Sequence, residues 1–154
     1  MRARNSFSLM KTIVALVDFS DVTAKVLQQA KTLAEAFHSH VILLHGLERR
    51  AVVVDMGVAS PTILQDLTPE DIAEDTAKLL KMTGPVTDAG INLTIRQLPD
   101  STVESIVEEA ERLKADMIIV GSHHHGAFYN LIVESVTSGV LKHAACPVLV
   151  VPND

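Results

Sequence analysis

A chain of 154 residues, 47% of them hydrophobic and few aromatic, has the length of one domain and can bury a core without disulfide or metal staples. Its 13 basic and 19 acidic residues give a net charge of −6 without a basic stripe, which argues against binding nucleic acid through its phosphates. One cysteine excludes an internal disulfide framework and a cysteine metal cluster, and no apolar run approaches the roughly 20 residues of a membrane span.

Residues 1–10 open basic, and no long apolar segment follows before the first strand, so they do not read as a secretory signal. They are expected to be a flexible segment ahead of a single domain over 11–154, with the cytoplasm as its location. Lys11 to Val17 runs through Ile, Val, Ala and Leu without polar alternation, the mark of a strand covered on both faces. Phe19-Ser20-Asp21 supplies a helix N-cap, with Ser20 a better cap than Asp18. Ala24, Leu27, Ala30 and Ala34 then trace one helical face up to Phe37. His40 to Leu47 is a second buried strand, and His45 falls at its end as a crevice-edge residue.

From Glu48 to Leu67 periodicity lapses, except that Val52-Val53-Val54 suits a short extended piece. A segment this long reads either as a lid or partner surface or as a disordered insert. Thr68-Pro69-Glu70-Asp71 starts a second helix to about Asp88, with Ile72, Thr76, Leu79 and Leu80 inward and a break or kink at Gly84-Pro85. Asn92 to Leu98 alternates and reads as an edge strand. Ser101-Thr102-Val103-Glu104 has the form of a capping box before the stripe Val103, Ile106, Val107, Ala110 and Leu113.

Met117 to Val120 is a further buried strand stopping at Gly121, followed by a polar turn, Gly121 to Gly126. A helical segment comes next, with Leu131, Ile132, Val136, Val140 and Leu141 apolar and His143 facing the helix dipole, and Pro147 to Val151 closes as a strand. Five strands alternating with four helices point to an α/β fold, a doubly wound open parallel five-stranded sheet. The Gly121 turn would lie at the carboxyl end of a strand and the amino end of a helix, where backbone amides favour an anion. It reads either as a phosphate site or as a plain connection. Cys146, before the last strand, reads as a buried small residue. His123, His124 and His125 point in different directions in an extended turn, so no protein-held metal is expected; they line the crevice or titrate near neutral pH. No nucleophile, base and orienter assemble from these spacings, so catalysis is not expected.

Asp18 after the first strand, the turn at Gly121 and the closing Cys146-Pro147-Val148-Leu149-Val150-Val151 together resemble the universal stress protein family over Lys11 to Val151. The resemblance implies a Rossmann-like fold of the adenine-nucleotide alpha hydrolase kind. Its strand order would be 3-2-1-4-5, with first and fourth strands side by side at the switch point, so that Asp18 and Gly121 share one crevice. Periodicity alone leaves the flavodoxin order open. ATP-binding members carry G-x-x-G-x9-G-[S/T]. Gly121 matches the first glycine and Ser135 the hydroxyl, while His124 and Glu134 stand where the other glycines would be. A dimeric regulatory module is implied. It would bind ATP or another adenine nucleotide at Asp18, Gly121, Ser122, His123, Gly126, Ser135 and Val136, with magnesium able to offset the Glu134 carboxylate, and would pair as a homodimer through Pro147 to Val151. The alternative is a member without nucleotide that acts through protein contacts.

Overall fold

The computed structural model describes residues 10–58, 61–122 and 135–153. In chain order the elements are β1 (Thr12–Leu16), α1 (Thr23–Phe37), β2 (His40–Gly46), β3 (Arg50–Val53), β4 (Thr62–Gln65), α2 (Pro69–Met82), α3 (Gly84–Thr87), β5 (Leu93–Leu98), α4 (Val103–Arg112), β6 (Met117–Ser122), α5 (Val136–His143) and β7 (Val148–Pro152). Apolar runs without alternation put β1 and β2 in the middle of a parallel sheet ordered β5-β2-β1-β6-β7. This is the expected order 3-2-1-4-5. Ile13 lies between Val41 and Met117 in the register. Leu93–Leu98 forms an edge strand, as its alternation predicts.

Each face of the sheet has its own core layer. Ile13, Ala15, Val17, Val41 and Leu43 pack with Val26 and Ala30 of α1, Leu79 of α2 and Val86 of α3. Val14, Ile42, Leu44 and Ile118 pack with Ile106 and Ala110 of α4 and Val140 of α5. Met10 packs against the first layer, while the rest of the N-terminal segment lies outside the described residues.

Several local expectations need correction. Helix α1 buries Thr23, Val26, Leu27, Ala30 and Ala34, whereas Ala24 is exposed. Its N-cap is Val22, without a side-chain bond, because the Ser20 hydroxyl is turned back to Asp18. Thr68 does cap α2, accepting from the Asp71 amide while the Asp71 carboxylate accepts from the Thr68 amide. That backbone bond, with Arg50 nearby, holds the Asp71 carboxyl below the usual carboxylate range. Helix α2 ends at Met82, ahead of Gly84-Pro85, and Leu80 faces solvent. Before α4 the cap is Thr102, one residue later than the capping-box pattern places it. Its hydroxyl accepts from the Ser105 amide, because Asp100 accepts from the Thr102 amide and fixes the turn.

The largest correction concerns Glu48 to Leu67. It contains an antiparallel hairpin, β3 paired with β4 and separate from the main sheet, with Val52 opposite Ile63 and Ala51 opposite Leu64. The extended piece at Val52 was legible, but its partner strand was not. In Thr62-Ile63-Leu64-Gln65 the turn signals sit on one side and alternation is too short to stand out.

Candidate functional site

The five parallel strands of the main sheet turn their carboxyl ends to one side, and β1 and β6 are the neighbours from which the chain winds in opposite directions. The β1–β6 ladder runs from Ile13–Met117 to Ala15–Ile119, and Asp18 follows three residues beyond its last pair. Asp18 lies just beyond β1 and is exposed. Its Oδ1 accepts from the Ser20 amide at 3.1 Å, the Ser20 hydroxyl at 2.5 Å and the Thr23 hydroxyl at 3.2 Å, with Thr23 itself buried. The carboxylate therefore organises the turn into α1, combining a turn role with a place at the crevice. Between them Phe19 holds a left-handed φ of 61°, rare for a bulky side chain.

Gly121 was expected to end its strand. Instead β6 continues through it to Ser122, pairing Gly121 with Val151 and Ser122 with Pro152. A Cβ on Gly121 would stand 2.3 Å from Cγ1 of Val22, so packing against the start of α1 demands glycine here. The Gly121 carbonyl accepts from the Thr137 hydroxyl at 2.8 Å, which ties β6 to the first turn of α5. Ser135 caps that helix by accepting from the Ser138 amide at 3.1 Å, and Val136 is its first residue, with an exposed side chain. His143 lies in the last turn of α5, facing the negative end of the dipole as expected.

Of the residues anticipated for the site, Gly121 and Ser122 end β6, Ser135 and Val136 begin α5, which the Thr137 hydroxyl ties to Gly121, and Asp18 lies just beyond β1. His123 and Gly126 lie outside the described residues, as do His124 and Glu134.

His45 departs from its expected place at the crevice edge, being only 5% exposed. Its Nδ1 lies 2.9 Å from the Val17 carbonyl, which can only accept, so Nδ1 carries a proton. Nε2 faces the Asp75 carboxylate at 3.8 Å, and the ring meets Phe19 at 4.6 Å. This pins β1, β2 and α2 together beneath the crevice. Its neighbour in register, Gln97, accepts from the Thr76 hydroxyl at 3.3 Å. The sequence carried no signal for these ties: helical spacing turns Thr76 inward but names no partner for it, and nothing sets Asp75 apart from the other acidic residues of the helix.

At the opposite end of the sheet, a groove of about 220 Å³ runs beside Val107, Ala110, Ile118, Ala144 and Cys146. Glu111 and Lys114 add charge to its otherwise apolar lining, and it lies at the opposite end of the strands from the switch-point turn. Burial and the nearby Asp116 push the Cys146 thiol above its ordinary range, which keeps it protonated and poorly nucleophilic; the residue packs against the second core layer but is only partly buried, not fully as expected.

This architecture, an open parallel sheet with a crevice at its switch point and a capped helix N-terminus facing it, is that of a Rossmann-like α/β protein. The model of the universal stress protein family matches residues 10–152, and the chain belongs to that family. It is 30% identical to universal stress protein MJ0531 of Methanocaldococcus jannaschii over 148 residues, covering 96% of this chain and 85% of the relative. Among solved structures, MJ0577 superposes with a TM-score of 0.67 at 26% identity, covering 95% of this chain and 98% of that one. A universal stress protein in complex with cAMP gives a TM-score of 0.71 at 22% identity (96% and 100% covered). One from Archaeoglobus fulgidus in complex with dAMP gives 0.66 at 23% (92% and 98%).

Proposed function

We propose that this chain is a cytoplasmic, dimeric regulatory protein that holds ATP or another adenine nucleotide at the crevice between β1 and β6. Asp18 would meet the adenosine portion. Ser122, Ser135 and the first turn of α5, with His123 and Gly126 from the connecting segment, would face the phosphates. One observation supports the reading: at the switch point the end of β6 packs on the start of α1 through Gly121 and Val22 and is tied to the capped first turn of α5 by the Thr137 hydroxyl, with the Asp18 carboxylate exposed just beyond β1. Relatives of the same fold solved with cAMP, dAMP and AMP support the ligand class.

The test is equilibrium binding of labelled AMP, cAMP and ATP, with and without magnesium. Saturable binding lost in Asp18→Ala is the expected result; no binding of any of them overturns the reading. Glu134 sits where ATP-binding members have glycine, and a carboxylate beside phosphates repels them. Glu134→Gly should therefore tighten ATP binding about tenfold, equivalent to ~1.4 kcal/mol. If Glu134 instead recruits magnesium, the substitution weakens binding only in its presence.

The dimer would form by two-fold pairing of β7, which among the described residues is bonded only to β6 and so has an outer edge available. Val150→Lys should then remove that interface in sedimentation.

A second reading, a family member working by protein contacts without nucleotide, is favoured by one finding. Contact with Val22 accounts for Gly121 with no ligand at all. Purified protein that releases no adenine nucleotide on denaturation and binds none when supplied would decide for it.

A further inference from the structure

The hairpin of β3 and β4 stands apart from the main sheet, and all eight of its strand residues are exposed. Val52, Val53, Ile63 and Leu64 lie on its two faces, 36%, 63%, 48% and 66% exposed, and Met56 extends the apolar surface toward the tip. An isolated two-stranded hairpin is marginal in water, and soluble proteins rarely leave an apolar edge unguarded. Neither strand carries the lysine, acid or interior proline that usually blocks such an edge; the one charge is Arg50 at the base, held by Asp71 at 2.6 Å.

The hydrogen-bond parity shows which groups are free to pair. Val54 donates to the Pro61 carbonyl, so residues of the same parity, Arg50 and Val52, turn their peptide groups toward β4. Ala51 and Val53 turn theirs outward, and among the described residues no other strand pairs with that edge.

We propose that β3 is an interaction edge for a second copy of this chain, the two β3 strands pairing antiparallel about a two-fold axis through Val52. Ala51 then exchanges both backbone bonds with Val53 of the mate, and the two hairpins form one four-stranded sheet. Side chains on one face line up as Ile63, Val52 and their two mates, an uninterrupted apolar row. The same register carries past the strand ends to set Arg49 opposite Asp55 of the mate, and Asp55 opposite its Arg49. Both side chains are exposed, and Arg49 is anchored at the hairpin base by its 2.8 Å bond to Asp66. The charges complement only in this antiparallel two-fold arrangement. Pairing through β4 would place no such opposite charges at its described end. The occupant that fits is therefore the chain itself, through a surface separate from β7.

Sedimentation of the full chain at micromolar concentration tests this. Val53→Pro removes an outward donor and leaves the hairpin's own ladder intact, so it should halve the assembly mass. Arg49→Asp and Asp55→Arg should each weaken association about tenfold by facing like charges across the axis. An equal mixture of those two variants should recover wild-type mass, because each then faces its opposite. Val52→Cys, on the axis, should give a disulfide-linked dimer under mild oxidation. A Val53→Pro protein with wild-type mass, or a mixture that does not recover, overturns the proposal. Loss of mass in Val150→Lys alone, with Val53→Pro unchanged, would leave β7 as the sole interface and overturn it equally.

Discussion

Val41-Ile42-Leu43-Leu44 in β2 and Val52-Val53 in β3 are made of nearly the same residues and meet opposite surroundings. In β2 the side chains are 0 to 6% exposed, flanked by β1 and β5 and covered on both faces by helices. In β3 they are 36% and 63% exposed, and among the described residues only β4 pairs with that strand. Composition makes both segments extended; what differs is what arrives to cover them. The central sheet is assembled by crossovers that bring a helix onto each face, whereas the hairpin closes only on itself. The same apolar side chain should therefore be worth several kcal/mol in one place and almost nothing in the folding of the other.

Truncating the sheet core gives the largest expected effect. Leu43→Ala removes a fully buried side chain from the layer beneath α1 and should cost about 2–5 kcal/mol in chemical denaturation. A loss under about 1 kcal/mol would mean that the layer re-collapses, and the contrast with the hairpin would weaken.

Gly121→Ala comes next. The new methyl would strike Val22, itself 1% exposed, so we expect about 1–3 kcal/mol of overpacking. Combining it with Val22→Ala should give a double mutant more stable than the sum of the two losses. The double mutant also separates the two readings of this glycine. If nucleotide needs the bare backbone, stability recovers while affinity does not.

Glu109 is a smaller but pH-dependent case. It is 8% exposed, bonded by Arg112 and by Arg96 across from β5. Hydrogen bonds from Arg112 hold its carboxyl below the ordinary value of 4.5, against the opposing effect of burial and with Arg96 adding to the lowering. A depressed folded value means that the contribution is complete above about 4.5 and is lost as pH falls through the lower folded value. Glu109→Gln should thus cost about 1–2 kcal/mol at pH near 7 and progressively less in acid. Urea midpoints that differ equally at neutral and low pH would refute this account.

The contrast also explains what the sequence could and could not reveal. The buried runs were legible because a parallel sheet buried on both faces leaves an uninterrupted apolar signature, whereas the strand order came from the resemblance, which selected 3-2-1-4-5 over the flavodoxin order. Caps were legible where hydroxyl and helix start coincide, as at Thr68, whereas Ser135 stood out only as a motif hydroxyl and its capping of α5 came from the structure. At Ser20 the pattern misled, because Asp18 competes for the same hydroxyl. The hairpin was half legible, since β4 has no periodicity of its own beyond four residues. Long-range ties were silent: nothing local in Asp75, Gln97 or Glu109 announces a partner on another element. Gly121 was recognised by its motif, yet the contact that requires glycine there comes from Val22, about a hundred residues earlier, which the structure alone brings into view.

Leu64→Ala should have the smallest effect. Leu64 lies on β4 opposite Ala51, is 66% exposed, and has only its cross-strand neighbours to lose. Truncation in a dilute, monomeric sample should change stability by less than about 0.5 kcal/mol, against several for Leu43. A cost of about 2 kcal/mol under those conditions would mean that the hairpin packs on its own chain, and the two segments would no longer differ in kind. A cost that is absent when dilute and grows with protein concentration has another meaning. Mass action then couples folding to association, so the side chain is being covered by a second molecule. Repeating the titration in Val53→Pro fixes the source. If the concentration-dependent cost disappears there, the cover is the paired β3 edge; if it persists, the cover comes through β7.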